Sequence, residues 1–143
     1  MKIILASKSG VRKKILKANN IDCEVIPSNV DEDQAKESLI HAGANPTLIS
    51  KNLAEIKSIK VSNKNPNQLV LGADSVISLN NKIINKPISR DDALGILKKL
   101  NGSLHYLISS VCISKNGSMV WNHTESSQLK MKNLTHKELA EYL

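Results

Sequence analysis

Leu5-Ala-Ser-Lys-Ser-Gly-Val-Arg-Lys-Lys-Ile-Leu16 decides how the chain is read. Just ahead of it, Lys2-Ile-Ile-Leu5 is apolar and β-branched, the pattern of a buried strand. Ser7 to Gly10 is a small, polar break, and from Val11 the apolar residues Val11, Ile15, Leu16 and Ala18 recur at helical spacing. The first N–H groups of a helix lack intrahelical partners and carry the positive end of its dipole, so this strand–loop–helix junction suits an anion. Ser7 and Ser9 add hydroxyl donors, Gly10 admits close backbone approach, and Arg12 with Lys13 adds positive charge. The stretch reads as a phosphate cradle; the plainer alternative is a capped surface helix with solvated lysines. It matches neither a GxGxxG fingerprint nor a Walker loop.

Composition narrows the field. A chain of 143 residues with 41% apolar content is expected to fold as one domain around one core. No apolar run reaches membrane-spanning length, and no signal-peptide pattern opens the chain, so a cytoplasmic protein without a membrane partner is expected. The two cysteines, Cys23 and Cys112, lie far apart inside apolar runs and read as buried thiols. The four histidines show no zinc-ligand spacing. Net charge is +7, which favours an anionic partner. Yet the lysines are scattered, and Tyr106, Trp121 and Tyr142 are the only aromatic residues. Nucleic-acid surfaces need clustered charge and stacking platforms, so no nucleic-acid partner is expected.

Working outward, Asn19-Asn20 ends the first helix, and Ile21 to Ile26 alternates as a second strand. Val30-Asp31-Glu32-Asp33 marks a strand-to-helix junction, with a helix predicted over Gln34 to His41. Asn45-Pro46 caps a further helix to about Val61, with Ile49, Leu53, Ile56 and Ile59 as its apolar stripe and Lys57 beside it. Leu69 to Leu79 is the most apolar run and suits a central strand; Asn80-Asn81 then turns Lys82 to Asn85 back as a hairpin. Ser89 with Asp92 resembles a capping box on a helix running to Asn101, with Gly102 as its stop. Strands follow from Leu104 to Ser114 and from Ser118, and Thr135 with Glu138 caps a last helix.

Asp74 is the residue hardest to explain without function. A carboxylate within so apolar a strand needs a cation or strong donors. It is either a site residue or a strand-end residue taking backbone hydrogen bonds, with Gly72 marking a bulge or a close approach. Glu32 offers a second carboxylate, and two carboxylates meeting in a cleft suit Mg²⁺ or Mn²⁺. Lys57 and Lys86, the latter presented by Pro87, can join Arg12 around phosphates. Cleaving a phosphoanhydride needs positive charge, a metal and a carboxylate to position or deprotonate water.

These residues, in this order, resemble the Maf family of nucleoside triphosphate pyrophosphatases. The resemblance rests on Leu5-Ala-Ser-x-Ser-x-x-Arg12, Val30-Asp-Glu32, Ala54-Glu-x-Lys57, Leu71-Gly-Ala-Asp-Ser-Val76 and Lys86-Pro87, with Asp92-Ala93, Leu100-x-Gly102 and His105 beyond. It implies an α/β (α+β) fold of the Maf and inosine-triphosphatase type, a mixed bent sheet flanked by helices in two lobes around a nucleotide cleft. It implies hydrolysis between the α- and β-phosphates to a nucleoside monophosphate and pyrophosphate. Asp74 matches the base, helped by Glu32 and a divalent metal held by the two; Ser7, Ser9, Arg12, Lys57 and Lys86 match phosphate-binding positions. Val11 and Ser75 fall at positions tied to base selection, where the family usually carries other residues, so no base preference transfers. Family members continue further, so residues 1–143 are expected to form a single, C-terminally incomplete Maf-like domain. A homodimer is left open. The alternatives are a non-catalytic nucleotide-binding or cell-division (septum) regulator and, on charge alone, a nucleic-acid-binding module.

Overall fold

The computed structural model describes residues 2–143. In chain order these form β1 (Lys2–Leu5), α1 (Gly10–Ala18), β2 (Asp22–Val25), α2 (Glu32–His41), α3 (Pro46–Lys64), β3 (Val70–Leu79), β4 (Lys82–Ile84), α4 (Arg90–Leu100), β5 (Leu104–Lys115), β6 (Ser118–Lys130) and α5 (His136–Tyr142). One mixed sheet runs in the order β2-β1-β3-β5-β6, with β4 paired to β3. β1 lies parallel to both β2 and β3, while β3–β4, β3–β5 and β5–β6 are antiparallel. This is the mixed, helix-flanked α/β arrangement that the resemblance implies.

Local chemistry sets the element boundaries. Each helix opens on a side chain that accepts a hydrogen bond from a free backbone N–H of the first turn: Ser9, Asp31, Asn45, Ser89 and Thr135. Asp31 as cap starts α2 at Glu32, two residues earlier than its sequence pattern indicates. At α4 the predicted capping box is half present. Ser89 accepts from Asp92 N at 3.0 Å, but the Asp92 carboxylate accepts from Ile88 N rather than from Ser89 N. The β3–β4 turn places Asn80 (φ 52°) and Asn81 (φ 62°) in left-handed conformation, as a tight hairpin requires at both central positions.

Helix α3 packs across β3 and β5, and its buried line differs from the expected stripe. Ile49 and Leu53 are buried, but Ile56 is exposed; the rest of the line is Ser50, Ala54, Lys57, Ser58, Val61 and Ser62. Small residues are needed because the helix lies almost on the strand. A Cβ on Gly72 would strike the Ala54 carbonyl oxygen and come within 2.8 Å of Ser58 N and 2.9 Å of Ser58 Cβ. Ser50 Oγ donates to the Asp74 carbonyl oxygen at 3.1 Å, and the Ser58 and Ser114 hydroxyls meet at 2.7 Å, so these buried serine hydroxyls are partnered. Ile4, Ala6, Val61 and Val70 form the apolar cluster next to this contact.

Helix α1 departs most from its pattern. It buries no residue, and Val11 and Ile15 are 67% and 55% exposed. The periodicity identified the helix but not a covering surface. Cys112 is buried, its thiol pKa pushed up to about 11 chiefly by burial, while Cys23 is half-buried.

Gly72→Ala is expected to destabilise the fold by about 3 kcal/mol, the range of an overpacked core site with a backbone neighbour that cannot give way. Urea unfolding would measure it, and a cost near zero would mean that α3 stands further from β3 than described.

Candidate active site

The connections around β1 create a crevice. From β1 the chain passes through α1 to β2 on one side, and from β2 through α2 and α3 to β3 on the other. Where neighbouring parallel connections diverge like this, the space beyond the strand's carboxyl end is open to a ligand. A hollow of about 810 Å³ lies there, lined by Ser7, Ser9, Arg12, Glu32, Lys57, Asp74, Ser75 and Lys86 among others. One cleft therefore collects these residues from the loop after β1, from α1, α2, α3 and β3, and from the segment after β4. Val11 is not part of its lining.

The serine loop is preorganised. Ser7 Oγ accepts hydrogen bonds from Ser9 N and from Arg12 Nη1, both at 3.1 Å, which leaves its own hydroxyl hydrogen free to donate. Ser9 Oγ accepts from Arg12 N at 3.3 Å as the α1 cap, with its hydrogen likewise uncommitted. Arg12 is thus folded back over the loop, its guanidinium at the lip of the cleft.

Lys57 is the centre. One residue before Ser58 at the tight contact, it is carried straight onto β3 and is only 5% exposed. Its Nζ donates to the Ala73 carbonyl oxygen at 3.1 Å and to Asp74 Oδ1 at 3.3 Å, and pairs with Glu32 Oε1. Asp74 sits within β3, not at its end, and is also 5% exposed. Its other oxygen, Oδ2, is buried without a partner among the described residues. Native proteins seldom leave such an atom bare, and one facing a cleft marks a place for a water, a ligand group or a cation.

The two carboxylates differ electrostatically. Burial pushes the Asp74 pKa above its ordinary value, and the Lys57 charge and hydrogen bond offset this only in part. Burial acts the same way on Glu32, but there Lys57, Lys36 and Lys86 more than offset it and hold the pKa below normal. One group is thus a stronger proton acceptor than a free aspartate, and the other stays ionised. Together they offer oxygen donors that suit Mg²⁺ or Mn²⁺, which bind through one or two carboxylates plus phosphates rather than in an all-protein cage. Among the described residues no group of three His, Cys, Asp or Glu forms such a cage.

Lys36 was not singled out from sequence, yet it lines the cleft and acts on both carboxylates. The available signal was its spacing: Glu32 and Lys36 are four apart and share a face of α2.

Fold and site together define a mixed α/β protein in which a serine–arginine loop, lysines and two paired carboxylates line one cleft. The family profile described as Maf-like protein matches residues 2–143, and the chain belongs to the Maf family. A nucleoside triphosphate pyrophosphatase of Pelagibacter ubique is 62% identical over 141 residues, spanning 99% of this chain and 72% of that protein. A 7-methyl-GTP pyrophosphatase of Brucella abortus is 34% identical over 143 residues, spanning 100% and 72%. In fold the chain is similar to a dITP/XTP pyrophosphatase of Mycobacterium abscessus, with a TM-score of 0.55 at 13% identity over 90% of this chain and 72% of that one. A HAM1 protein of Coxiella burnetii gives a TM-score of 0.53 at 13% identity, over 90% and 70%. Among the described residues no helix is long and apolar enough to cross a membrane.

Lys57→Met keeps the buried stem but strips two carboxylates of their shared cation, and a cost of about 3–5 kcal/mol at neutral pH is expected. Losing the ammonium raises the Asp74 pKa further, so the folded state takes up a proton more readily than the unfolded chain. The deficit is therefore largest above that raised pKa and shrinks as pH falls through it. Denaturant unfolding across this range would measure it; a deficit independent of pH would mean that Asp74 does not feel Lys57.

Proposed function

We propose that this protein is a metal-dependent nucleoside triphosphate pyrophosphatase, cleaving the α–β phosphoanhydride to release a nucleoside monophosphate and pyrophosphate in the cytoplasm. The observation that carries this reading is the bare, buried Asp74 Oδ2, which belongs to the same cleft as the Ser7–Arg12 cradle. The names of the relatives agree with it.

In this mechanism the Ser7 and Ser9 hydroxyls, the α1 N-terminus and Arg12 hold the β- and γ-phosphates, with Lys86 closing from the opposite wall. Asp74 takes the proton of a water whose oxygen attacks the α-phosphorus, and the bond from that phosphorus to the bridging oxygen breaks. The leaving pyrophosphate departs with its charge balanced by the cradle. Lys57 keeps the two carboxylates apart in role, orienting Asp74 through Oδ1 so that Oδ2 faces the cleft. A divalent metal held by Glu32 and Asp74 would neutralise charge that develops on the phosphates. Ser75 lines the cleft beside Asp74 and is placed to touch the nucleotide.

The test is pyrophosphate release from UTP, dTTP, dITP and 7-methyl-GTP with Mg²⁺ or Mn²⁺. Turnover of at least one is expected, lost on chelation and lowered by about 10²–10⁴ in Asp74→Asn, the usual contribution of a positioned base. Equal rates in the two proteins would remove Asp74 from the reaction. Tight binding without turnover at every metal concentration would select the non-catalytic regulator instead. Because burial raises the Asp74 pKa from its ordinary 3.8, kcat/KM is expected to fall on acidification at a pH above that value.

A further inference from the structure

The two edges of the sheet are built differently. β2, at one end, is four residues long and exposes Asp22 and Glu24, which discourages a further strand. β6, at the other, runs thirteen residues from Ser118 to Lys130 and pairs, among the described residues, with β5 alone. It holds no proline, its register irregularity lies at its start opposite Ile113 and Ser114, and its one lysine is the last residue. Apart from His123 and Glu125, nothing guards the open edge between Trp121 and Leu129. The Leu71 carbonyl accepts from Ala6 N on the β1 side, so alternation turns the main chain of Asp74 toward Ser110, and that of Ser109 and Val111 toward Glu125 and His123. Asn122, Thr124 and Ser126 therefore direct their N–H and C=O groups outward. Side chains line up on one face of this edge. Trp121 is 50% exposed and stacks on His123 with ring centroids 6.1 Å apart, His123 Nε2 meets Glu125 Oε1 at 2.7 Å, and Leu129 is 44% exposed.

We propose that β6 pairs antiparallel with β6 of a second copy of this chain, about a two-fold axis at Thr124, joining the two sheets into one. That centre sets Trp121 opposite Ser127 of the second copy, Asn122 opposite its Ser126, and His123 opposite its Glu125. The two His–Glu pairs then meet with unlike groups facing each other. Moving the axis one residue earlier would oppose two imidazoles and one residue later two carboxylates, so charge selects Thr124. On the diagonal Trp121 reaches Leu129 of the second copy, and two half-exposed apolar side chains cover each other. Three outward residues in each chain give a ladder of about six main-chain hydrogen bonds. Contact of that size belongs with weak, exchanging dimers, with a Kd of about 1–100 µM. The cleft lies at β3, two strands in from β6, so pairing at this edge leaves it open whatever reaction it serves.

Sedimentation equilibrium over about 1–300 µM should show the chain passing from monomer to twice its mass. Glu125→Lys removes the opposed carboxylate and puts a lysine on the open edge, and should weaken the dimer at least about tenfold. Adding His123→Glu exchanges the two charges and should restore most of the affinity. Oxidation reads the register separately, with the wild type, which carries Cys23 and Cys112, as control. Thr124→Cys lies opposite its own copy with Cα atoms about 5.5 Å apart, within disulfide reach, whereas Asn122→Cys lies about 14 Å from its own copy. Thr124→Cys alone should cross-link. A monomer at every concentration overturns the proposal. So does a dimer that Glu125→Lys leaves intact, or cross-linking that is equal in the two variants, since the copies then meet elsewhere. Should circular dichroism show Thr124→Cys unfolded, Glu125→Lys and its charge exchange decide by themselves.

Discussion

The site depends on how closely α3 approaches β3. Because position 72 is glycine, the helix backbone at Ala54 and Ser58 touches the strand backbone, with no side chain between them. At that separation a lysine at position 57 cannot reach solvent along its usual path. Its stem lies in the interface, and its ammonium emerges beside Ala73 and Asp74. Any larger residue at 72 would lift the helix and withdraw the charge. The geometry of the two carboxylates is thus set by a packing contact, not by the flexibility of the side chains that carry it.

A buried lysine and a buried aspartate are each costly alone, and burying them together is rarely a net source of stability. What the pair provides is fixed orientation. Lys57 takes one oxygen of Asp74 and one of Glu32, leaving Asp74 Oδ2 without a partner among the described residues. The rest of the fold supplies the ends of the elements that meet this point. The divergence of connections at β1 opens the crevice, the Asp31 cap starts α2 so that Glu32 faces inward, and the asparagine turn sends β4 back so that Lys86 closes the far wall.

Much of this was legible in the chain, because it is written in local chemistry. Cap residues, asparagine turns and the apolar run of β3 each act over a few neighbours, and the elements stand where those signals put them, within a residue or two for most. The buried face of α3 was harder to read. Hydrophobic periodicity favours Ile56 and Ile59, whereas the contact with Gly72 selects small residues, and Ser58 and Ser62 bury hydroxyls that bond to the carbonyls of Glu55 and Ile59. Periodicity cannot register a face made of serines. Lys36 was missed for another reason: it is an ordinary residue locally, and it reaches the two carboxylates only because α2 turns its Glu32 face toward Lys57.

The distribution of charge bears on how such a site can bind a triphosphate at all. The chain carries a net charge of +7, but little of that surplus lies in the cleft. Its lining holds Lys8, Arg12, Lys36, Lys57 and Lys86 against Asp31, Glu32, Asp33 and Asp74. Lys57 is already committed to two of those carboxylates. The walls are therefore close to neutral, and a polyphosphate entering them brings more negative charge than the free cations can balance. A divalent cation arriving with the substrate would remove the deficit, and Asp74 Oδ2 with Glu32 offers the oxygen donors it prefers. Near-neutral walls also discourage other anions. On the proposed function, a single phosphate without its metal would gain little there, whereas a metal-loaded triphosphate would meet both the carboxylates and the serine–arginine loop, and charge balance would itself help to select the ligand.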